Sequence, residues 1–185
     1  KTQLISKFTS AQSTLCLEDT SVVKFQRNNL INKAFGSTIS DGFKISESMR
    51  EENKNDIYIA ATHNAYLSKY GYLHKREIKI LKKSGILSGV DTLIKKRNVP
   101  QGLGFSIRFH IYPGISAIKT LSGQSILLQI NQKKSWILIS DSHNLEIEKG
   151  LFMGRNKVVS NDCAVIYGNT NQQDTCVKWE LKRSV

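Results

Sequence analysis

Apolar and polar residues alternate more regularly along Gly104–Leu138 than anywhere else in the chain. Phe105, Ile107, Phe109 and Ile111 fall on one side while Ser106, Arg108 and His110 fall on the other, the period of two that marks a half-buried strand. Pro113-Gly114 interrupts the pattern and Ile115–Leu121 resumes it. Ser122-Gly123 then supplies a turn, Ser125–Ile130 returns, Asn131–Lys134 turns again and Ser135–Ser140 closes a further strand. The run predicts a β-meander. Upstream, Thr14–Leu17, Val22–Phe25, Phe43–Met49 and Asp56–Thr62 read as strands, Asn28–Asp41 as a polar loop with a weak strand near Ala34-Phe35, and Tyr66–Gly71 as irregular. Glu77–Leu81 and Ile86–Ile94 flank Lys83-Ser84-Gly85, a hairpin signal, and Asn98–Gly104 reads as a loop. Leu145–Glu148, Val158-Val159, Ala164–Tyr167 and Thr175–Leu181 add strands toward the C-terminus. No segment joins helical periodicity to helix caps. The expected fold is all-β, an antiparallel β-sandwich of two packed sheets built from meanders and hairpins.

A length of 185 residues suits one domain spanning the whole chain, and neither a linker, a repeat nor a low-complexity tract divides it. No apolar stretch is long enough to form a transmembrane segment. The chain opens on Lys1 without the apolar core of a signal peptide, so a C-terminal fragment of a longer protein is expected. The net charge of +12, from 27 basic and 15 acidic residues, favours an anionic partner. Yet Lys82-Lys83, Lys95-Lys96-Arg97, Lys133-Lys134 and Lys182-Arg183 sit at strand ends and turns, where charge keeps sheet edges soluble and unpaired. That is the preferred reading, with a polyanion-binding face as the alternative. Helix-turn-helix, zinc-finger and RNP-like patterns are missing, so nucleic acid is not an expected partner. Cys16, Cys163 and Cys176 are odd in number and lack CxxC spacing, and are expected to be small buried hydrophobes.

The order of several short segments carries a family resemblance. Arg108-Phe109-His110, followed by Pro113, a hairpin and the Trp136 strand, resembles the C-terminal β-domain of the heparinase II/III family of polysaccharide lyases. Ala11–Leu15 (AQSTL) with Glu18-Asp19-Thr20 resembles that family's A-H-S-T-L…D-D-T segment. Ala61–Tyr66 (ATHNAY) and Tyr72–Glu77 (YLHKRE) resemble its H-D-G-Y…H-R-R strands, and Leu87–Leu93 (LSGVDTL) its l-x-G-x-D-x-L strand. The likeness is collinear from Ser10 to the end.

The resemblance implies a β-domain that supports an N-terminal α/α-toroid catalytic domain and lines its substrate cleft. The parent enzyme would act on an acidic, uronate-containing polysaccharide such as a glycosaminoglycan. Such lyases remove the C5 proton and expel the C4 oxygen, which needs a group to neutralise the carboxylate, a base and an acid. The family holds most of these groups, including a Tyr and a His, in the toroid, and a metal-supporting H-x-H-x-D segment just upstream of A-H-S-T-L. No catalytic residue is therefore expected in this chain, which should be inactive alone. Zinc is doubtful here: Gln12 stands where relatives place a histidine ligand, and an amide binds zinc poorly. No cofactor is expected. The resemblance favours a periplasmic or cell-envelope location.

Candidate groove or interdomain residues are His63, His74, Arg76, Arg108 and His110. His63, His74 and Arg76 can meet on one face, either as a polar cluster toward the sugar groove or helical domain or as a hydrogen-bonded set fixing strand register, the preferred reading. His110, beside Arg108, reads as a satisfied sheet or interface histidine, with substrate contact as the alternative. His143, in Asp141-Ser142-His143-Asn144, reads as a turn residue, and Trp136 and Trp179 as core residues rather than sugar platforms. A free-standing carbohydrate-binding or scaffold module, and a non-specific polyanion-binding domain, are the other functional readings.

Overall fold

The computed structural model describes residues 7–26, 28–36, 38–99, 102–140, 144–154 and 157–184. In chain order these form β1 (Leu15–Leu17), β2 (Lys24–Phe25), α1 (Asn29–Phe35), β3 (Ile39–Asp41), β4 (Ile45–Glu52), β5 (Asp56–His63) and α2 (Leu67–Tyr70). There follow β6 (Tyr72–Leu81), β7 (Ile86–Lys95), β8 (Gly104–His110), β9 (Ser116–Lys119) and β10 (Ser125–Asn131). The last strands are β11 (Lys134–Ser140), β12 (Asn144–Gly154), β13 (Lys157–Asn169) and β14 (Thr175–Arg183). They build the expected antiparallel β-sandwich. A small sheet has the order β1-β8-β13-β12, and a large one the order β4-β5-β6-β7-β14-β11-β10-β9. β2 and β3 pair as a separate ribbon.

The period of two explains the core. Leu15, Leu17, Phe105, Ile107, Leu145, Ala164 and Ile166 of the small sheet meet Leu93, Val177, Trp179, Ile126 and Leu138 of the large one, all buried. Chain continuity across Gly104–Leu138 differs from a single meander. Phe105–His110 belongs to the small sheet, and of this run β9, β10 and β11 alone form a meander, in the large one. The break is Pro113-Gly114, where Gly114 has a φ of 93° and the chain crosses between layers.

Two segments read as irregular are helical. Asn28 caps α1, its Oδ1 accepting the Leu30 and Ile31 N–H groups at 2.9 and 3.4 Å, a local signal overlooked in a polar stretch. Tyr66–Gly71 contains the single turn of α2, closed by Gly71 at φ 74°. Val158-Val159 and Ala164–Tyr167 are parts of one strand, because polar Ser160 and Asn161 continue the ladder opposite Leu151 and Gly150. Cys16 and Cys163 are buried free thiols as expected, but Cys176 is exposed, since its position on β14 points away from the core. Cys163 and Cys176 lie in different sheets. Asp141, Ser142 and His143 lie outside the described residues.

Gly89 fixes the central layer. A Cβ there would lie 2.0 Å from Cζ2 of Trp179, its cross-strand neighbour, so the indole can lie flat over β7 only above a glycine. Gly89→Ala is expected to destabilise the fold by about 1–3 kcal/mol through overpacking, read as a lowered urea midpoint. An unchanged midpoint would contradict this packing.

Candidate functional site

Four neighbouring strands place the candidate side chains around Asp91. His63 on β5 pairs directly with His74 on β6, and Arg76 on β6 pairs directly with Asp91 on β7. His74 and Arg76 are two apart and share the inner face, as do Asp91 and Gly89. Asp91 is fully buried, at 0% exposure. Its Oδ1 accepts from His74 Nε2 at 2.7 Å and Arg76 Nε at 2.8 Å, and its Oδ2 from Arg76 Nη2 and Trp179 Nε1, both at 2.9 Å. A carboxylate has about four acceptor sites, and all are used. Burial alone would raise the acid's pKa, but the His74 hydrogen bond and the Arg76 guanidinium outweigh it and hold the pKa at about 2.

The proton positions follow from one backbone group. Ala65 N–H donates to His63 Nδ1 at 3.3 Å, so the ring proton of neutral His63 sits on Nε2. That N–H donates to His74 Nδ1 at 3.0 Å, and His74 Nε2–H donates onward to Asp91. Burial, with smaller contributions from His74 and Arg76, pushes the His63 pKa down to about 4. The relay thus runs from the backbone that follows β5 to the acid at the sheet centre.

Arg76 extends the network across the sandwich. Its Nη1 donates to the Ser13 carbonyl at 2.5 Å, while Ser13 Oγ accepts the His110 N–H at 3.0 Å. His110 Nε2 donates to the Ser10 carbonyl at 3.0 Å. The AQSTL segment is therefore stitched to both sheets. Arg108 does not join the Asp91 cluster: it lies on the outer face of the small sheet and donates to Glu148 Oε2 at 2.6 Å, while Tyr167 OH donates to Glu148 Oε1. Of the five candidate residues, His63, His74 and Arg76 converge; Arg108 and His110 do not enter that cluster.

Asp91 is the member that sequence reasoning did not single out, and Trp179 was read only as a core residue. A signal existed, because Leu87, Gly89, Asp91 and Leu93 occupy alternate positions, which puts an acid on a core face where it requires cationic or N–H partners. Gln12, in the position of an expected zinc ligand, is exposed. It lines a groove with Thr9, Thr14, Val22 and Phe25 that contributes no imidazole, thiolate or carboxylate. Among the described residues no three His, Cys, Asp or Glu side chains are grouped to hold a metal.

Nor does the Asp91 cluster have the geometry of an acid–base pair open to substrate. His74 is 2% exposed and both its nitrogens are engaged, as are both oxygens of Asp91. What the cluster can do is fix strand register and anchor the Asn64–Tyr70 loop. Tyr66, buried at the base of that loop, adds a hydrogen bond from its hydroxyl to the Leu15 carbonyl at 3.0 Å.

Comparison with known proteins agrees with this architecture. Residues 4–180 match the family described as Heparinase II/III-like, C-terminal. The heparan sulfate lyase HepC from Pedobacter heparinus superposes with a TM-score of 0.69 at 13% identity, over 93% of this chain and 24% of that one. Heparinase III superposes with a TM-score of 0.67 at 10% identity, over 99% of this chain and 25% of that one. The chain thus spans about a quarter of the length of these enzymes. No curated protein shows significant sequence similarity. With the profile covering nearly the whole sequence, the chain belongs to the heparinase II/III-like C-terminal domain family.

Proposed function

We propose that this chain is the supporting β-domain of a polysaccharide lyase that cleaves a uronate-containing acidic glycan by β-elimination. It braces an N-terminal helical catalytic domain, lines one wall of the substrate cleft and has no lyase activity of its own. The observation that carries this reading is the saturation of the Asp91 cluster. The histidines and carboxylate that could serve as base and acid already use one another, the backbone and Trp179. A general base must reach the C5 proton directly or through one water, and His74 is sealed from both. The likeness to a heparan sulfate lyase and to heparinase III supports the substrate class. Incubated with heparan sulfate, the chain is expected to produce no unsaturated uronate, read as ultraviolet absorbance. A rise that scales with chain concentration would contradict the proposal.

A further inference from the structure

A cavity of about 500 Å³ lies between the β2–β3 ribbon and the loop that the Asp91 cluster anchors. Its cations come from three separate elements: Lys24 on β2, Lys69 on α2 and Arg97 in the loop after β7. Among the described residues the only acid in its lining is Asp41, which Lys24 Nζ already engages at 3.1 Å. Asn64 Oδ1 accepts the Lys44 N–H at 2.8 Å, and the same side chain carries two amide N–H donors. Ser68 adds a hydroxyl. The lining sets three cations against one acid that is already paired, which suits an anion.

Lys69 and the backbone that carries Arg97 are also placed in advance. Lys69 Nζ lies 3.4 Å from Thr20 Oγ1, to which it donates, and 4.7 Å from the Tyr70 ring centroid. Thr20 Oγ1 is in turn hydrogen-bonded to Tyr70 OH at 2.5 Å. Arg97 packs beside Gly71, where an added Cβ would lie 3.2 Å from Arg97 Cβ, and Lys96 N–H donates to the Gly71 carbonyl at 2.9 Å. The size falls within the range of small-ligand sites, about 300–1,000 Å³.

We propose that this cavity is a subsite for the carboxylate or sulfate of an acidic sugar, contacted by Lys69, Arg97 and Asn64, with Lys24 at its rim. The inference rests on the lyase-domain reading for its choice of a polysaccharide, but its test reads binding rather than cleavage. Arg97 supplies a planar fork suited to either oxyanion, and Lys69 a point charge. The Asp91 cluster then acts as a positioning device, because the relay ending at Ala65 N–H holds the loop that carries Asn64 and Lys69.

The test is titration of the ¹⁵N-labelled chain with three probes: a heparin tetrasaccharide, an unsulfated heparosan tetrasaccharide and neutral maltotetraose. Amide signals of Asn64, Lys69 and Arg97 are expected to shift with one or both acidic probes and not with maltotetraose. If only heparin binds, the cavity takes sulfate; if heparosan binds too, it takes carboxylate. Lys69→Ala/Arg97→Ala should weaken binding by about tenfold or more. Lys133→Ala/Lys134→Ala, which removes the same charge at the β10–β11 turn, should leave it nearly unchanged. Equal loss in the two double variants, equal binding of maltotetraose, or no shift into the millimolar range would overturn the subsite. Any of these could occur while the chain still fails to cleave heparan sulfate, so failure of the subsite and failure of the lyase-domain reading are separable.

Discussion

Asp91→Ala is expected to cost the fold about 3–5 kcal/mol, the range for removing one partner of a buried ion pair. The size follows from what remains. His74 Nε2–H and Trp179 Nε1–H lose their acceptor inside the sandwich, and Arg76 loses a two-pronged partner at 2.8 and 2.9 Å. Domains have only about 5–15 kcal/mol of stability to lose. Asp91→Asn should be nearly as damaging, because it keeps the volume but offers one acceptor oxygen and turns an NH₂ toward N–H donors. Urea unfolding would show a lower midpoint with an unchanged slope. A cost below about 1 kcal/mol for both variants would mean that the four hydrogen bonds do not operate together. Because the folded pKa of Asp91 is held at about 2, below the usual 3.8, its contribution is complete above pH 4 and lost as the pH falls toward 2.

Acid should act earlier through His63. Its folded pKa of about 4 lies below the ordinary 6.5, so between these values the unfolded chain binds the proton more readily. Stability is therefore full above about pH 6.5 and falls by up to about 3 kcal/mol as the pH approaches 4, at 1.36 kcal/mol per pKa unit. The physical cause is specific. A proton on Nδ1 would set a ring N–H against the Ala65 N–H, break that hydrogen bond and release the Asn64–Tyr70 loop. His63→Gln should flatten the decline across this window, measured as unfolding free energy at about pH 7 and pH 4.5. Persistence of the full slope in the variant would assign it to other groups.

The sandwich was legible from alternation because two-sided strands separate core from surface at every second residue. His63, His74 and Arg76 were legible as neighbours for the same reason, together with the family resemblance of their segments. Their partner was harder to see. Asp91 and Trp179 are 88 residues apart, and no local pattern states that a glycine at position 89 lets an indole reach an acid two residues further on. The sheet change at Pro113-Gly114 escaped periodicity because strands in both layers alternate in the same way. Arg108 and His110, neighbours on one face of a different strand, lie apart from that cluster: Arg108 faces outward on the other layer and His110 holds the AQSTL segment.

The anion-binding cavity was invisible in the sequence for a related reason. Lys24, Lys69 and Arg97 are scattered, and only the β2–β3 ribbon, α2 and the loop after β7 bring them to one place. Charge counting registered an excess of cations and not where they converge.

The central claim, that this domain supports glycan cleavage without performing it, is tested most directly by the size distribution of heparan sulfate after prolonged incubation with the chain. The distribution is predicted to match that of untreated glycan, and to do so equally for His74→Ala. Shortening by the unaltered chain, abolished by His74→Ala while the variant stays folded, would contradict the account and move catalysis into the Asp91 cluster.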